Sequence, residues 1–256
     1  MTASTGNHGV AVAYASKLLG VKSKIFLCDF VPKVKVENIV AYGSEYKLVK
    51  GWCLDAEKEA RKHTDKYYIP PYNSHITVNG AGTMGLEIWN QMKDLNVKNI
   101  DAVFACIGGG GLCSGVSTYL KSKNPKIKIF GCSARRTPAM FECVKAGKIV
   151  EIVSSPSVAD GNGGNIEKGS LTFDIVKKNL DEIVLVDEND IKLATRIFME
   201  TERAITEPTA AVSIAGFMKK YKQFKGKNVV IITCGRNVTM QNLNKILDET
   251  KNMKLK

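Results

Sequence analysis

Long apolar runs, paired cysteines and concentrated charge are scarce in this sequence, and each shortage closes off a class of protein. No stretch of roughly eighteen apolar residues occurs, so no spanning helix is expected. The N-terminus, MTASTGNHGVAV, lacks a basic segment followed by an apolar run, so no signal peptide is read. The seven cysteines (Cys28, Cys53, Cys106, Cys113, Cys132, Cys143 and Cys234) are odd in number and never spaced C-x-x-C. That excludes a disulfide framework or a zinc ribbon and points to a reducing, cytoplasmic setting. His8, His63 and His75 do not pair with cysteines at ligand spacing, so a structural zinc site has no support. Arginine is rare, six against 31 lysines, and the lysines run along the whole chain. The net charge of +12 (37 cationic minus 25 acidic residues) therefore speaks to solubility and loose association. With aromatics at only 7%, no basic face interleaved with aromatics is visible, and neither nucleic acid nor a membrane is expected as a partner. The densest basic stretch, Lys219 to Lys227, reads as a solvated helix end and loop.

What is present is ordinary globular material. With 256 residues, 44% of them hydrophobic, the chain is long enough for one large domain or two small ones. Short runs rich in β-branched residues read as strands: Lys24 to Cys28, Asp101 to Cys106, Ile127 to Gly131, Ile183 to Val186 and Asn228 to Thr233. Helical periodicity fills 7–19, 33–42, 54–63, 82–93, 112–123, 189–201, 208–219 and 239–248. Such alternation predicts an open α/β fold of mostly parallel strands, with ligands at their carboxyl ends. A change of texture at Ile69-Pro70-Pro71-Tyr72 marks a boundary between two lobes.

Four segments are candidates for chemistry. Gly80-Ala81-Gly82-Thr83-Met84-Gly85 fits G-x-G-x-x-G after the strand-like Ile76-Thr77-Val78. The acidic residue a dinucleotide site needs is misplaced, because Asp101 precedes the next strand; close helix packing is the favoured reading. Gly108-Gly109-Gly110-Gly111 follows a strand and opens an apolar helix. Four glycines let successive backbone N–H groups converge, and at a helix start those donors favour a phosphate. No G-K-S/T follows, so this is not a triphosphatase loop. Ser4-Thr5-Gly6-Asn7-His8-Gly9 also opens a helix and is either an N-cap or a small anion site. Thr233-Cys234-Gly235-Arg236-Asn237 ends a strand, where Cys234 faces a ligand or is simply buried.

In this order the last three segments resemble the fold-type II pyridoxal-phosphate enzymes, and within them the serine/threonine dehydratases, with serine racemases close by. Pro32 to Gly43, which is similar to P-x-x-K-x-x-x-I-x-x-x-G, and Ala159-Asp160-Gly161 extend the resemblance over essentially the whole chain. Gly80 to Glu87 then resembles the family's G-x-G-T-x-x-x-E stretch. The resemblance implies an α/β fold of two-lobed open parallel sheets, tryptophan-synthase-β-like. It implies a small domain over 3–72 and a large cofactor-binding domain over 73–256, incomplete at its N-terminal side. Ser4, Thr5, Gly6, Asn7 and His8 would hold the carboxylate of a small amino-acid substrate, Asn7 also reaching the cofactor's phenolic oxygen. Gly108, Gly109, Gly110, Gly111 and the Leu112 N–H would cradle the phosphate of pyridoxal 5'-phosphate, and Cys234 would contact its pyridine nitrogen. The implied activity is a lyase reaction, L-serine or L-threonine to a 2-oxo acid and ammonia, in a homodimer. The family's Schiff-base lysine belongs to an S/F-F/Y-K-x-R-G segment upstream of the carboxylate loop. This chain starts three residues before Ser4, and no lysine in it follows that pattern. The expectation is therefore a truncated chain that is inactive as given. The alternative is a non-catalytic relative that binds pyridoxal phosphate or an amino acid as a regulatory subunit. Racemisation carries less weight, since Thr5 stands where racemases have a second basic serine. Ser133, in Gly131-Cys132-Ser133-Ala134, replaces the metal-binding glutamate of G-x-E-P, so no metal is expected. Arg236 replaces the second glycine of G-G-N and would crowd the ring or change its electronics.

Overall fold

The computed structural model describes residues 1–254 except Thr5, Phe30, Pro32 and Trp52. The chain divides into two units, Met1–Thr77 and Val78–Lys256. Each carries its own parallel sheet.

The first unit is built on β1 (Thr2–Ala3), β2 (Lys24–Cys28) and β3 (Glu45–Val49), all parallel in that order. The central β2 is an unbroken apolar run because both faces are covered, as parallel sheets require. Ile25 and Leu27 pack with Val12 and Ala13 of α1 (Asn7–Leu18) and Ile39 of α2 (Lys33–Ala41). Phe26, pointing the other way, packs with Ala56 and Ala60 of α3 (Cys53–Arg61). Burying each of the Val, Ile, Leu and Phe side chains among these contributes about 1.5–3 kcal/mol.

The second unit has four parallel strands in the order β6-β5-β4-β7: β4 (Ala102–Cys106), β5 (Lys128–Ala134), β6 (Glu182–Val186) and β7 (Val229–Ile231). Alternation along β4 divides the core. Val103 and Ala105 face a cluster with Cys113, Val116 and Leu120 of α5 (Gly111–Lys123), Met140 of α6 (Ala139–Ala146) and Phe173 and Val176 of α7 (Leu171–Asn179). Ala102 and Phe104 face Ile191 and Ala194 of α8 (Glu188–Glu202) and Ala211, Val212 and Ala215 of α9 (Pro208–Lys220). Phe104 stacks on Phe130 at 4.6 Å, and Phe217 and Phe224 close edge-on around them. The last helix, α10 (Met240–Thr250), is amphipathic and tied to α8 through Arg196, which donates to the carbonyl oxygens of Thr250 and Met253.

One sequence expectation is corrected. Ile76-Thr77-Val78 is not a strand, and Gly80–Gly85 is not a strand-to-helix turn; both lie inside one helix, α4 (His75–Asp94). The glycines serve helix packing instead. A methyl on Gly115 of α5 would run into the Val78 carbonyl oxygen and come within 2.5 Å of the Gly82 nitrogen and 2.8 Å of the Ala81 carbonyl carbon. Bare backbones touch where α4 crosses α5, so β-branched propensity near Ile76 yields to tertiary contact. Five of the strands fall where the runs of β-branched residues put them, whereas β1, β3, α6 and α7 were not expected.

Gly115→Ala should therefore cost about 1–3 kcal/mol or more, since rigid backbone and no flexible side chain occupies the space. Urea denaturation checks this. A variant as stable as the parent would show that the crossing is looser than described.

Candidate functional site

The carboxyl end of β4 passes through Ile107, whose N–H donates to the Cys132 carbonyl (2.8 Å), and then leaves the sheet as Gly108-Gly109-Gly110 to open α5 at Gly111. Gly110 is left-handed, with φ +87°, and a Cβ there would meet Met140 Cε at 3.0 Å and Thr172 Cβ at 3.2 Å. Only glycine fits. The loop is pinned from its carbonyl side, Thr172 Oγ1 donating to Gly109 O (2.6 Å) and Ser114 N–H donating to Gly110 O (2.8 Å). No side chain caps α5. The N–H groups of Gly111, Leu112 and Cys113 are therefore those a helix start leaves without an intrahelical partner, at the positive end of its dipole.

Alongside runs the loop Ala159–Gly163. Gly161 N–H donates to Thr209 Oγ1 (3.0 Å), and a Cβ on Gly108 would lie 3.4 Å from Asn162 Cα. Asn162 is 3% exposed, yet its Nδ2 has no hydrogen-bond partner; Ser114 Oγ, fully buried, has none either. Leaving such groups unmatched costs about 1–3 kcal/mol each, so a folded chain that keeps them points to a polar ligand. An amide NH2, a hydroxyl and a row of backbone N–H groups are a donor set, and a donor set fits a phosphate. Thr137 Oγ1 is also buried without a partner, and Ser133 Oγ donates to the Thr137 carbonyl (3.3 Å). Among the described residues no group of three or more His, Cys, Asp or Glu is placed to hold a metal.

Cys234 lies three residues beyond β7, in the stretch 232–239 without regular structure. Ile232 N–H donates to Phe104 O (2.9 Å) and Ser213 Oγ donates to Ile232 O (2.6 Å), which carries the strand pairing past β7. Two residues further along each chain, Cys234 Sγ and Cys106 Sγ stand 3.9 Å apart. A hydrogen bond from Cys106 holds the Cys234 thiol below its ordinary range, and the same contact with burial pushes Cys106 well up. Glu207 fixes the loop beyond: its Oε2 accepts from Asn237 N–H (2.9 Å) and its own N–H donates to Gly235 O (2.9 Å). Arg236 is exposed.

In the first unit, α1 starts at Asn7 with Gly6 as its cap residue and no side-chain cap. Ser4 Oγ accepts from Gly6 N–H (3.2 Å), which leaves the serine proton to be donated elsewhere. Lys35, nearly buried, brings its ammonium within 4.0 Å of where a Gly6 Cβ would stand. The His8 ring is already engaged, with Nε2 2.9 Å from Thr2 Oγ1 and 3.2 Å from the Ile69 carbonyl. Thr2 Oγ1 itself donates to Ile69 O (2.6 Å), so Nε2 is a nitrogen that carries a proton. Thr5 and Pro32 lie outside the described residues. Structure thus groups Ser4, Gly6, Asn7 and His8 at one helix start, and Gly108–Gly111, Leu112 and Cys234 at the ends of β4 and β7. Sequence reasoning passed over Lys35, Cys106, Ser114, Asn162 and Glu207. Asn162 directly follows the quoted Ala159-Asp160-Gly161, and Cys106 was read only as a strand end.

A family model described as "Pyridoxal-phosphate dependent enzyme" matches residues 1–235. The "L-threonine dehydratase biosynthetic IlvA" of Halalkalibacterium halodurans is 37% identical over 242 residues, 92% of this chain and 57% of that protein. The "L-threonine ammonia-lyase" of Thermotoga maritima is 32% identical over 253 residues, 97% of this chain and 61% of that protein. The chain thus spans 57% and 61% of the length of these curated relatives. Among solved structures, the serine racemase of Dictyostelium discoideum superposes with a TM-score of 0.82 at 33% identity, covering 94% of this chain and 77% of that one. No helix among the described residues is long and apolar enough to cross a membrane.

Burial lowers the His8 pKa, and its hydrogen bond to Ile69 opposes that shift. The unfolded chain takes up a proton as pH falls through about 6.5, while the folded ring resists protonation until lower pH. The unfolded state then binds more protons, so stability should fall as pH drops below about 6.5. Denaturant midpoints across this range should slope for the parent chain and flatten in His8→Gln. An identical slope in both would remove His8 as the cause.

Proposed function

The chain belongs to the pyridoxal-phosphate dependent enzymes, and from that premise we propose that it serves β-elimination of L-serine or L-threonine to a 2-oxo acid and ammonia. Its two parallel sheets are those of the tryptophan-synthase-β-like fold. The observation that carries the reading is a glycine loop at an uncapped helix start, flanked by buried donors with no partner of their own.

Pyridoxal phosphate, when bound, supplies an electron-withdrawing ring that acidifies the Cα–H of an amino acid. The chain's own residues seat and orient the reactants. The N–H groups of Gly108, Gly109, Gly110, Gly111 and Leu112 would hold the phosphate, and Asn162 Nδ2 and Ser114 Oγ would add donors to it. Cys234 would contact the pyridine nitrogen. The sulfur of Cys106, 3.9 Å away, would hold the Cys234 thiol in place beside the ring. In the first unit Ser4 Oγ and the N–H groups of Asn7 and His8, at the Gly6-capped start of α1, would hold the substrate carboxylate. His8 acts there through its backbone, since its ring is spent on Thr2 and Ile69. The similarity to a serine racemase makes D-serine a second product to assay for.

Asn162→Ala separates a ligand-binding donor from a structural one. Deleting a buried group without a partner leaves the free chain as stable or more so, whereas losing a hydrogen bond to a charged phosphate costs about 1.5–3 kcal/mol. Pyridoxal phosphate titrated by absorbance should bind about tenfold to a hundredfold more weakly to the variant. Threonine and serine, added to the loaded protein carrying the family's S/F-F/Y-K-x-R-G lysine segment, should release 2-oxobutanoate and pyruvate. Cofactor bound without product assigns the non-catalytic binding role, and no cofactor binding overturns both readings.

A further inference from the structure

Four thiols gather at the carboxyl end of β4, and only one pair of them is free to react. Cys113 donates to the Cys106 carbonyl (3.4 Å) and is fully buried, which pushes it up to about 12. Cys132, the register partner of Cys106 on β5, is fully buried and also raised well above the ordinary thiol range. Cys234 is exposed and Cys106 half-buried, their sulfurs 3.9 Å apart on neighbouring chain segments. We propose that Cys106 and Cys234 form a dithiol that a hydroperoxide oxidises to a disulfide, a modification site at the mouth of the β4–β7 pair.

The chemistry balances with hydrogen peroxide as oxidant. Cys234 attacks one peroxide oxygen as its thiolate; the O–O bond breaks, the sulfur becomes a sulfenic acid, and the leaving hydroxide takes up the thiol proton to become water. Cys106 then attacks that sulfur, an S–S bond forms, the S–O bond breaks, and a second water leaves with the Cys106 proton. Two thiols lose two electrons and two protons in total, and one peroxide is reduced to two waters. The roles follow from the contact: the hydrogen bond that Cys106 gives favours the thiolate on Cys234, and the exposed sulfur is the one an oxidant meets. Closing to a bond of about 2.0 Å requires only the Cys234 side to move. Cys106 is fixed by ladder pairing to Cys132 on β5, with Ile107 N–H donating to Cys132 O just beyond it, whereas Cys234 sits in the stretch without regular structure, anchored next at Gly235 by Glu207. The oxidation stands on this geometry alone. Its consequence, loss of the sulfur that faces the pyridine nitrogen, rests on the proposed function.

The test is peroxide treatment of the purified full chain, alkylation of the remaining thiols, and mass spectrometry of a non-reduced digest. The expected product is a cross-linked pair of peptides carrying Cys106 and Cys234, lighter by two hydrogens and separated again by a thiol reductant. In Cys106→Ser the cross-link disappears and Cys234 gains oxygens instead. If parent Cys234 gains oxygens while Cys106 is alkylated, or if Cys234 links to another cysteine, the proposal is overturned. Repeating the treatment with pyridoxal phosphate at ten times its dissociation constant should slow cross-linking about tenfold. Equal rates with bound cofactor would leave the disulfide standing and overturn the placement of Cys234 at the ring.

Discussion

Everything that could do chemistry in the larger unit hangs on β4, a strand hydrogen-bonded on both edges and buried on both faces. Its ladder to β5 continues through Ile107 N–H to Cys132, and its ladder to β7 continues through Ile232 N–H to Phe104. Register is therefore fixed up to the last residue before the glycines. A slip by one residue would turn Phe104 out of its aromatic cluster and drive Val103 into it, so the two half-cores admit one register. That rigidity aims the loop at 108–110, and α5 follows in the only direction Gly110 permits.

The same rigidity lets the site keep groups that folding alone would not tolerate. Asn162 Nδ2 and Ser114 Oγ are buried without partners, and α5 begins without a cap. Each is a local cost in the free chain, offset by the surrounding apolar packing and open to recovery by a bound anion under the proposed function. In the first unit, α1 begins in a comparable way, but Ser4, Lys35 and Thr2 already engage its surroundings. The two helix starts thus differ in what they have left to offer. One presents unmatched buried side-chain donors as well as backbone N–H groups, while the other offers a serine proton and the first N–H groups of its helix.

Much of this was legible in the residues. Parallel strands buried on both faces have to be continuous β-branched runs, and β2, β4, β5, β6 and β7 were found that way. The glycine loop announced itself because a tight turn needs fewer than four glycines. What escaped reading has physical reasons. The strand β1 has only two residues, and β3 (EYKLV) is exposed along most of its length, so neither shows a burial pattern. Ile76 to Val78 has strand propensity but is held helical by the α4–α5 crossing at Gly82 and Gly115. Asn162 and Cys106 matter through partners far away in the chain. Nothing local in Asp160-Gly161-Asn162 says that the amide will be buried with nothing to bind, and nothing in Phe104-Ala105-Cys106 says that Cys234 will arrive beside it.

Under the proposed function the start of α5 is an anion seat made of backbone N–H groups. Amide chemical shifts of the isotopically labelled chain, followed while pyridoxal phosphate is titrated in, test it most directly. The account predicts that the amides of Gly108 to Leu112 move together with the Asn162 side-chain amide, and that pyridoxal without its phosphate leaves them in place. Binding that shifts other amides and leaves Gly108 to Leu112 unmoved would contradict it.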